Sequence, residues 1–223
     1  MPRMSARIAS LTQGLEGMRK KRADLPEGDK EAAALDRRIA GTALYLDDAK
    51  QFDWVLPTQC ADMKPGAMRA IVAGGRRVEI RYFGGGHTAG DLVVYLPKEK
   101  IVAVGDLWSE NGDLLLDSGL DGRDGSVLAA PATLRGISKL DFDKALPGHR
   151  SIIQGKASLE AAIANGDKLV NQIKESYARG EYVEEALQKI PAPAAPLTTA
   201  WQRAVIRGFE ELEHRKQAGV RLP

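Results

Sequence analysis

Cysteine is almost absent. Cys60 is the only one in 223 residues, which excludes an internal disulfide framework and any cysteine-rich zinc module. Nothing near it in sequence would lower the thiol pKa, so it reads as a structural or exposed side chain rather than a nucleophile. Neither sign of charge is in excess, with 32 basic against 30 acidic side chains. A nucleic-acid partner needs a clustered basic surplus, so none is expected. Long hydrophobic runs are missing as well: no stretch is long enough to span a bilayer, and the N-terminus lacks the continuous apolar core of a secretory signal. Read from Met1 as written, the sequence predicts a soluble chain, cytoplasmic by default, with no membrane partner.

A chain of this length can bury a real core and suits one large domain or one domain with a helical appendage. Met4, Ile8, Leu11, Leu15 and Met18 recur at alternating spacings of four and three, the seam of an amphipathic helix. The basic residues from Arg19 to Arg22 suit its C-terminus, and Leu25-Pro26-Glu27-Gly28 breaks it. Leu35, Ile39, Thr42 and Leu46 repeat the spacing in a second helix over about 29–51, so the two predict a helical hairpin. Packing of these seams on each other or on a sheet is the expectation; a dedicated dimerisation coil would need more heptads.

The centre of the chain is strand-like. Val78, Ile80 and Tyr82 alternate with charged residues, as in a strand with one face buried, whereas 92–96 and 101–104 are almost wholly apolar, as in a sheet covered on both faces. Residues 97–100 form a tight connection, so the last two strands are expected to make a hairpin. Residues 54–58 lead into a loop ending near Gly74-Gly75. The acidic, glycine-rich stretch 110–125 reads as a solvated rim; its Asp113, Asp117, Asp121 and Asp124 lack the spacing of an EF-hand. Beyond it the sequence predicts a helix over 126–140 interrupted at Pro131, a short strand over 144–146, and a long helix carrying Leu159, Ile163, Leu169, Ile173 and Tyr177, closed by Gly180. A short helix with Val183, Leu187 and Ile190, a stiff proline-rich linker over 191–196 and a final amphipathic helix over 198–217 complete the chain.

Only three histidines are present, and two follow strands in glycine-containing turns: His87 in GGGHTAGD and His149 in LPGHR. Asp106 also follows a strand and a glycine. Each of these ligand-type side chains leaves the sheet where it can reach a cleft. Two imidazoles and a carboxylate suit zinc, manganese or iron, and an open coordination position would let a water deprotonate near neutral pH. Turn residues are also often His or Asp for backbone reasons alone, so spacing leaves both readings open. The glycine run could instead cradle a phosphate. However, the Gly-Lys-Ser/Thr of a P-loop is absent, and a strand rather than a helix is expected after it, so the glycines more simply allow a sharp turn.

The strings His87-Thr88-Ala89-Gly90-Asp91, Leu96-Pro97, Val104-Gly105-Asp106 and Leu146-Pro147-Gly148-His149 resemble, in order and separation, the later ligand motifs of the metallo-β-lactamase superfamily. The similarity covers about 76–190, and the N-terminal hairpin resembles a helical insertion that some members carry. The resemblance implies an α/β fold: a metallo-β-lactamase-like αββα sandwich, incomplete at the N-terminus, with a helical hairpin insertion and a helical C-terminus. It divides the chain into the hairpin (1–53), the C-terminal part of the domain (54–190), and a linker with the last helix (191–223). It makes His87, Asp106 and His149 metal ligands, Asp106 being the carboxylate that bridges two metals in many members. Asp91 is expected to order its turn, and His214 matches nothing and reads as a solvated surface side chain.

The departure is equally specific. Members place a His-x-His-x-Asp-His motif ahead of these strings, and no histidine precedes His87 here. The expected cofactor is zinc, or another divalent metal such as manganese or iron, with one ion or none in this chain alone. An apolar sheet face would be left open, inviting self-association or a missing N-terminal half as partner. Three readings follow: a chain starting inside a longer hydrolase, a split enzyme, or a noncatalytic binding or scaffold module. The first is favoured, because a chain free of the metal constraint has no evident reason to keep three motifs in register. The implied activity is attack of a metal-activated water on a small-molecule ester, thioester or lactam.

Overall fold

The computed structural model describes residues 2–52, 62–114, 125–192 and 198–219. Cys60, Asp117, Asp121, Asp124 and most of the proline-rich linker lie outside them. The chain divides into two compact units, Met1–Cys60 and Ala61–Pro223.

The first unit is a helical hairpin of α1 (Pro2–Ala23) and α2 (Lys30–Gln51). Gly28 takes a positive φ of 83° in the turn, where a β-carbon would be strained, and Asp29 then caps α2 by accepting from the N–H groups of Glu31 and Ala32 at 2.6 and 3.3 Å. The two seams turn from solvent, Leu15 and Leu46 being buried and Ile8, Leu11, Leu35 and Ile39 partly so, and Ala32 and Ala49 are buried beside them. Lys21 with Glu31 and Arg22 with Asp36 pair across the turn at 2.5 and 2.8 Å.

The second unit is built on a six-stranded sheet in sequential order: β1 (Met68–Ala73), β2 (Arg76–Tyr82), β3 (Leu92–Leu96), β4 (Ile101–Gly105), β5 (Lys144–Pro147) and β6 (Ile153–Gln154). All neighbours are antiparallel except β4 and β5, which run parallel. That exception needs a crossover, and α3 (Ala130–Ser138) supplies it. Strand β1 lies where the sequence reads as loop: it is an edge strand exposed at all six positions, so burial leaves no alternating signature. Pro131 does not interrupt a helix. It stands in the first turn of α3, where its missing N–H costs no hydrogen bond, and 127–129 form a turn rather than helix.

The two faces of the sheet differ. Val93, Tyr95, Val102, Val104, Ala145 and Ile153 share one face and pack in a buried core with Leu134 and Ile137 of α3 and Leu159 and Ala162 of α4 (Ala157–Ala178). Fully buried Trp108 joins them and donates from Nε1 to Ser158 Oγ at 3.3 Å. On the opposite face Val78, Ile80, Val94, Leu96, Ala103 and Leu146 are all only half-buried. The apolar runs 92–96 and 101–104 suggested a sheet covered on both faces, and only the first of these faces is fully buried. A second core forms where α4, α5 (Val183–Lys189) and α6 (Thr198–Gln217) meet, around Ile173, Ala186, Trp201, Val205 and Leu212, and it also takes in Val127.

Candidate functional site

Strand direction decides which turns share an edge. Strand β2 is antiparallel to β3 and β3 to β4, so β2 and β4 point the same way, and β5 is parallel to β4. The C-terminal ends of β2, β4 and β5 therefore emerge at one edge of the sheet, carrying His87, Asp106 and His149 respectively. The pairing of Gly105 with Pro147, reinforced by Gly148 N donating to Gly105 O at 2.8 Å, sets Asp106 beside the His149 turn.

The three side chains meet at one atom. His87 Nε2 lies 3.5 Å and His149 Nε2 3.4 Å from Asp106 Oδ2. His87 and Asp106 are largely enclosed, with 21% and 25% of their side-chain surface exposed, whereas His149 is 75% exposed. Asp106 Oδ1 is buried and has no hydrogen-bond partner among the described residues. Gly148 closes against that same oxygen, leaving no room for a β-carbon.

The His87 turn is held from several sides. Asp91 accepts from Thr88 N through both oxygens at 3.0 Å and from Thr88 Oγ1 at 2.7 Å, the turn-ordering role the sequence suggested. Gly85 O accepts from Thr133 Oγ1 at 2.8 Å and Gly86 O from Ser126 N at 3.0 Å. A β-carbon on Gly86 would come within 2.8 Å of Leu107 Cδ2, so here glycine is a requirement of space. No helix follows the glycine run; the chain passes into β3, which removes the helix N-terminus that phosphate binding would use.

The turn after β5 is tied to the loop after β4. Ser151 N donates to Glu110 Oε2 at 3.2 Å, and Arg150, at a positive φ of 68°, approaches Glu110 at 4.0 Å. Asp113, read from the sequence as part of a solvated rim, is half-buried and accepts from Ser109 Oγ at 3.1 Å. His214 is exposed near the end of α6, as expected of a surface histidine.

The donor chemistry suits a divalent cation pair by pair. Bonds of about 2.0–2.1 Å in a tetrahedron put neighbouring donors about 3.3–3.4 Å apart, and the separations of 3.4 and 3.5 Å at Asp106 Oδ2 lie close to that edge. As a set the donors are not closed around one point: among the described residues, no group of three or more His, Cys, Asp or Glu side chains is placed to hold a metal ion. Sequence reading missed the contacts of Ser126 with Gly86 and of Glu110 with Ser151, which join segments far apart in the chain and leave no local pattern.

The second unit is thus a mixed α/β fold with two histidines and an aspartate gathered at one sheet edge. Residues 68–149 match the model of the metallo-beta-lactamase superfamily. Among solved structures, a metallo-beta-lactamase from Pontibacter korlensis is 24% identical over 48% of this chain and 48% of its own, with a TM-score of 0.37. The stereoselective inverting sec-alkylsulfatase from Pseudomonas sp. is 15% identical over 67% of this chain and 26% of its own, with a TM-score of 0.52, a likeness of fold. The chain thus spans about half the length of the first and about a quarter of the second. A comparison with curated proteins gave no match. No helix among the described residues is long and apolar enough to cross a membrane.

Proposed function

We propose that this chain supplies part of the active site of a metal-dependent hydrolase acting on a small ester, thioester or lactam, with His87, Asp106 and His149 as its metal ligands. The observation that carries the reading is the shared oxygen: two imidazoles, delivered by different strands, face Oδ2 of one carboxylate at 3.5 and 3.4 Å. A divalent ion there, zinc or else manganese or iron, would supply Lewis acidity toward the scissile carbonyl and would acidify a water. Asp106 would provide the central donor, with His87 fixed beside it by the Asp91 and Ser126 contacts. His149, three-quarters exposed, has the freedom to turn its ring inward.

A second reading is a noncatalytic binding module. It draws on the lack of a closed metal-ligand group among the described residues and on the half-buried apolar face of the sheet, which would suit self-association or a covering partner. Zinc content after metal loading and dialysis separates the two, measured on the native protein and on His87→Ala, Asp106→Ala and His149→Ala. The hydrolase reading expects zinc to be retained, to fall with each substitution, and to accompany turnover of a chromogenic ester, thioester or lactam. Equal zinc content in all four proteins would give the second reading the lead.

A further inference from the structure

We propose that Glu211, on the C-terminal helix α6, is a positioning residue for His87. The proposal deepens the metal-site reading above and rests on it for its functional meaning. The connection is continuous. Glu211 Oε2 accepts from Ser126 Oγ at 2.6 Å and Oε1 from Val127 N at 2.8 Å, so both carboxylate oxygens grip one turn. Ser126 N in turn donates to Gly86 O at 3.0 Å, and Gly86 is bonded directly to His87. Arg207, one helical turn earlier on α6, adds a bond from Nε to Gly125 O at 3.0 Å.

Helix α6 is brought close enough for this by a glycine. A β-carbon at Gly208 would lie 2.9 Å from Ile173 and 3.1 Å from Val127, so only glycine lets the helix approach the turn so closely. Val127 is fully buried in the core shared with α6, and Glu211 is itself nine-tenths buried, with 10% of its side chain exposed. The desolvation of this carboxylate is offset by these two hydrogen bonds and by Arg207, whose Nε lies 3.9 Å from Oε1. The beneficiary is a run of three glycines, Gly84 to Gly86, that has no side chains to anchor it. The register of the histidine therefore depends on outside ties, and the Ser126 tie is the one anchored in α6.

The test uses the full chain without metal and reads the ring Cε1–H resonances of its three histidines by NMR, assigned through single histidine substitutions. Glu211→Ala is expected to shift and broaden the His87 signal while His149 and His214 keep theirs, and to weaken zinc binding about 10-fold, the low end of the range for removing an outer-shell partner. Glu211→Gln keeps an acceptor for Val127 N–H and a donor for Ser126 Oγ, and is expected to restore the His87 signal. Glu210→Gln alters a neighbouring carboxylate that pairs with Arg207 at 3.2 Å, and is expected to move none of the three. A His87 signal unchanged in Glu211→Ala, or all three signals moving together, overturns the proposal. Should Glu211→Ala not fold, Ser126→Ala decides by the same criteria. A selective His87 shift in a protein that binds no zinc would uphold the positioning role and remove the metal reading instead.

Discussion

Gly148 faces Asp106 so closely that no side chain fits between them: a β-carbon would overlap Oδ1, the carboxylate oxygen without a hydrogen-bond partner among the described residues. Gly148→Ala must therefore move either the carboxylate or the turn that carries His149. The expected cost is about 1–3 kcal/mol, typical of one methyl group forced into a filled space. Urea denaturation should show a lower midpoint with an unchanged slope. A stability equal to that of the native chain would mean that the Gly105–Gly148 contact opens without cost.

Glu79 predicts an acid sensitivity. Its side chain is buried on β2; burial alone would raise its pKa, but hydrogen bonds from Arg81 at 2.6 and 2.9 Å and from Arg77 at 2.9 Å outweigh that and hold it below the ordinary glutamate value. A lowered carboxylate pKa contributes stability above the unfolded value of about 4.3 that is lost as the pH falls through the folded one. Glu79→Gln should be less stable than the native chain at pH 7 by about 1.5–3 kcal/mol, the worth of a hydrogen bond to a charged group. The gap should close below about pH 4. A gap that stays constant from pH 7 to pH 3 would show that the arginines do not select the ionised form.

Gly41 offers the opposite sign. It lies on the exposed side of α2 with nothing within 4 Å of where a β-carbon would sit. Gly41→Ala should stabilise the helical hairpin by about 1 kcal/mol, the helix-propensity difference between the two residues. A rise in the thermal midpoint followed by far-UV circular dichroism is the readout. A fall would reveal a contact on that face.

Periodicity made the helices of the hairpin legible because their apolar seams are also their buried seams: Leu15 and Leu46 are buried where the spacing put them. The central strands were legible for the related reason that Val93, Val102 and Val104 sit in a core covered by helices. Strand β1 was not, because an edge strand exposed on both faces carries no alternation to read. Pro131 misled because the same residue that breaks a helix interior is welcome in a first turn. The site divides the same way. His87, Asp106 and His149 could be named from turns that follow strands, but their meeting at one oxygen depends on the parallel pairing of β4 and β5, a long-range fact. Glu211 stood in an ordinary amphipathic helix, and nothing local distinguished it from Glu210.

Lys156 joins three elements through one ammonium group, and its loss should be felt in all of them. Its Nζ donates to Ser138 O at 2.8 Å and Leu140 O at 2.5 Å, closing off carbonyls at the end of α3 that no intrahelical N–H can reach. It also lies over the ring of buried Phe142, 5.0 Å from the centroid, and it immediately precedes α4. Lys156→Met keeps the aliphatic stem but leaves both carbonyls without the donor. The expected loss is about 1–3 kcal/mol, the desolvation cost of buried acceptors left unpaired. Ionic strength separates this role from an ordinary surface ion pair. The acceptors are neutral carbonyls, so the cost of Lys156→Met should be nearly the same at low and high salt. By contrast, Lys100→Met, which removes an exposed pair with Asp141 at 3.0 Å, should cost less, and that cost should shrink as salt screens the charges. A Lys156 effect that also fades with salt would mean that the ammonium acts through the surrounding field rather than by capping α3.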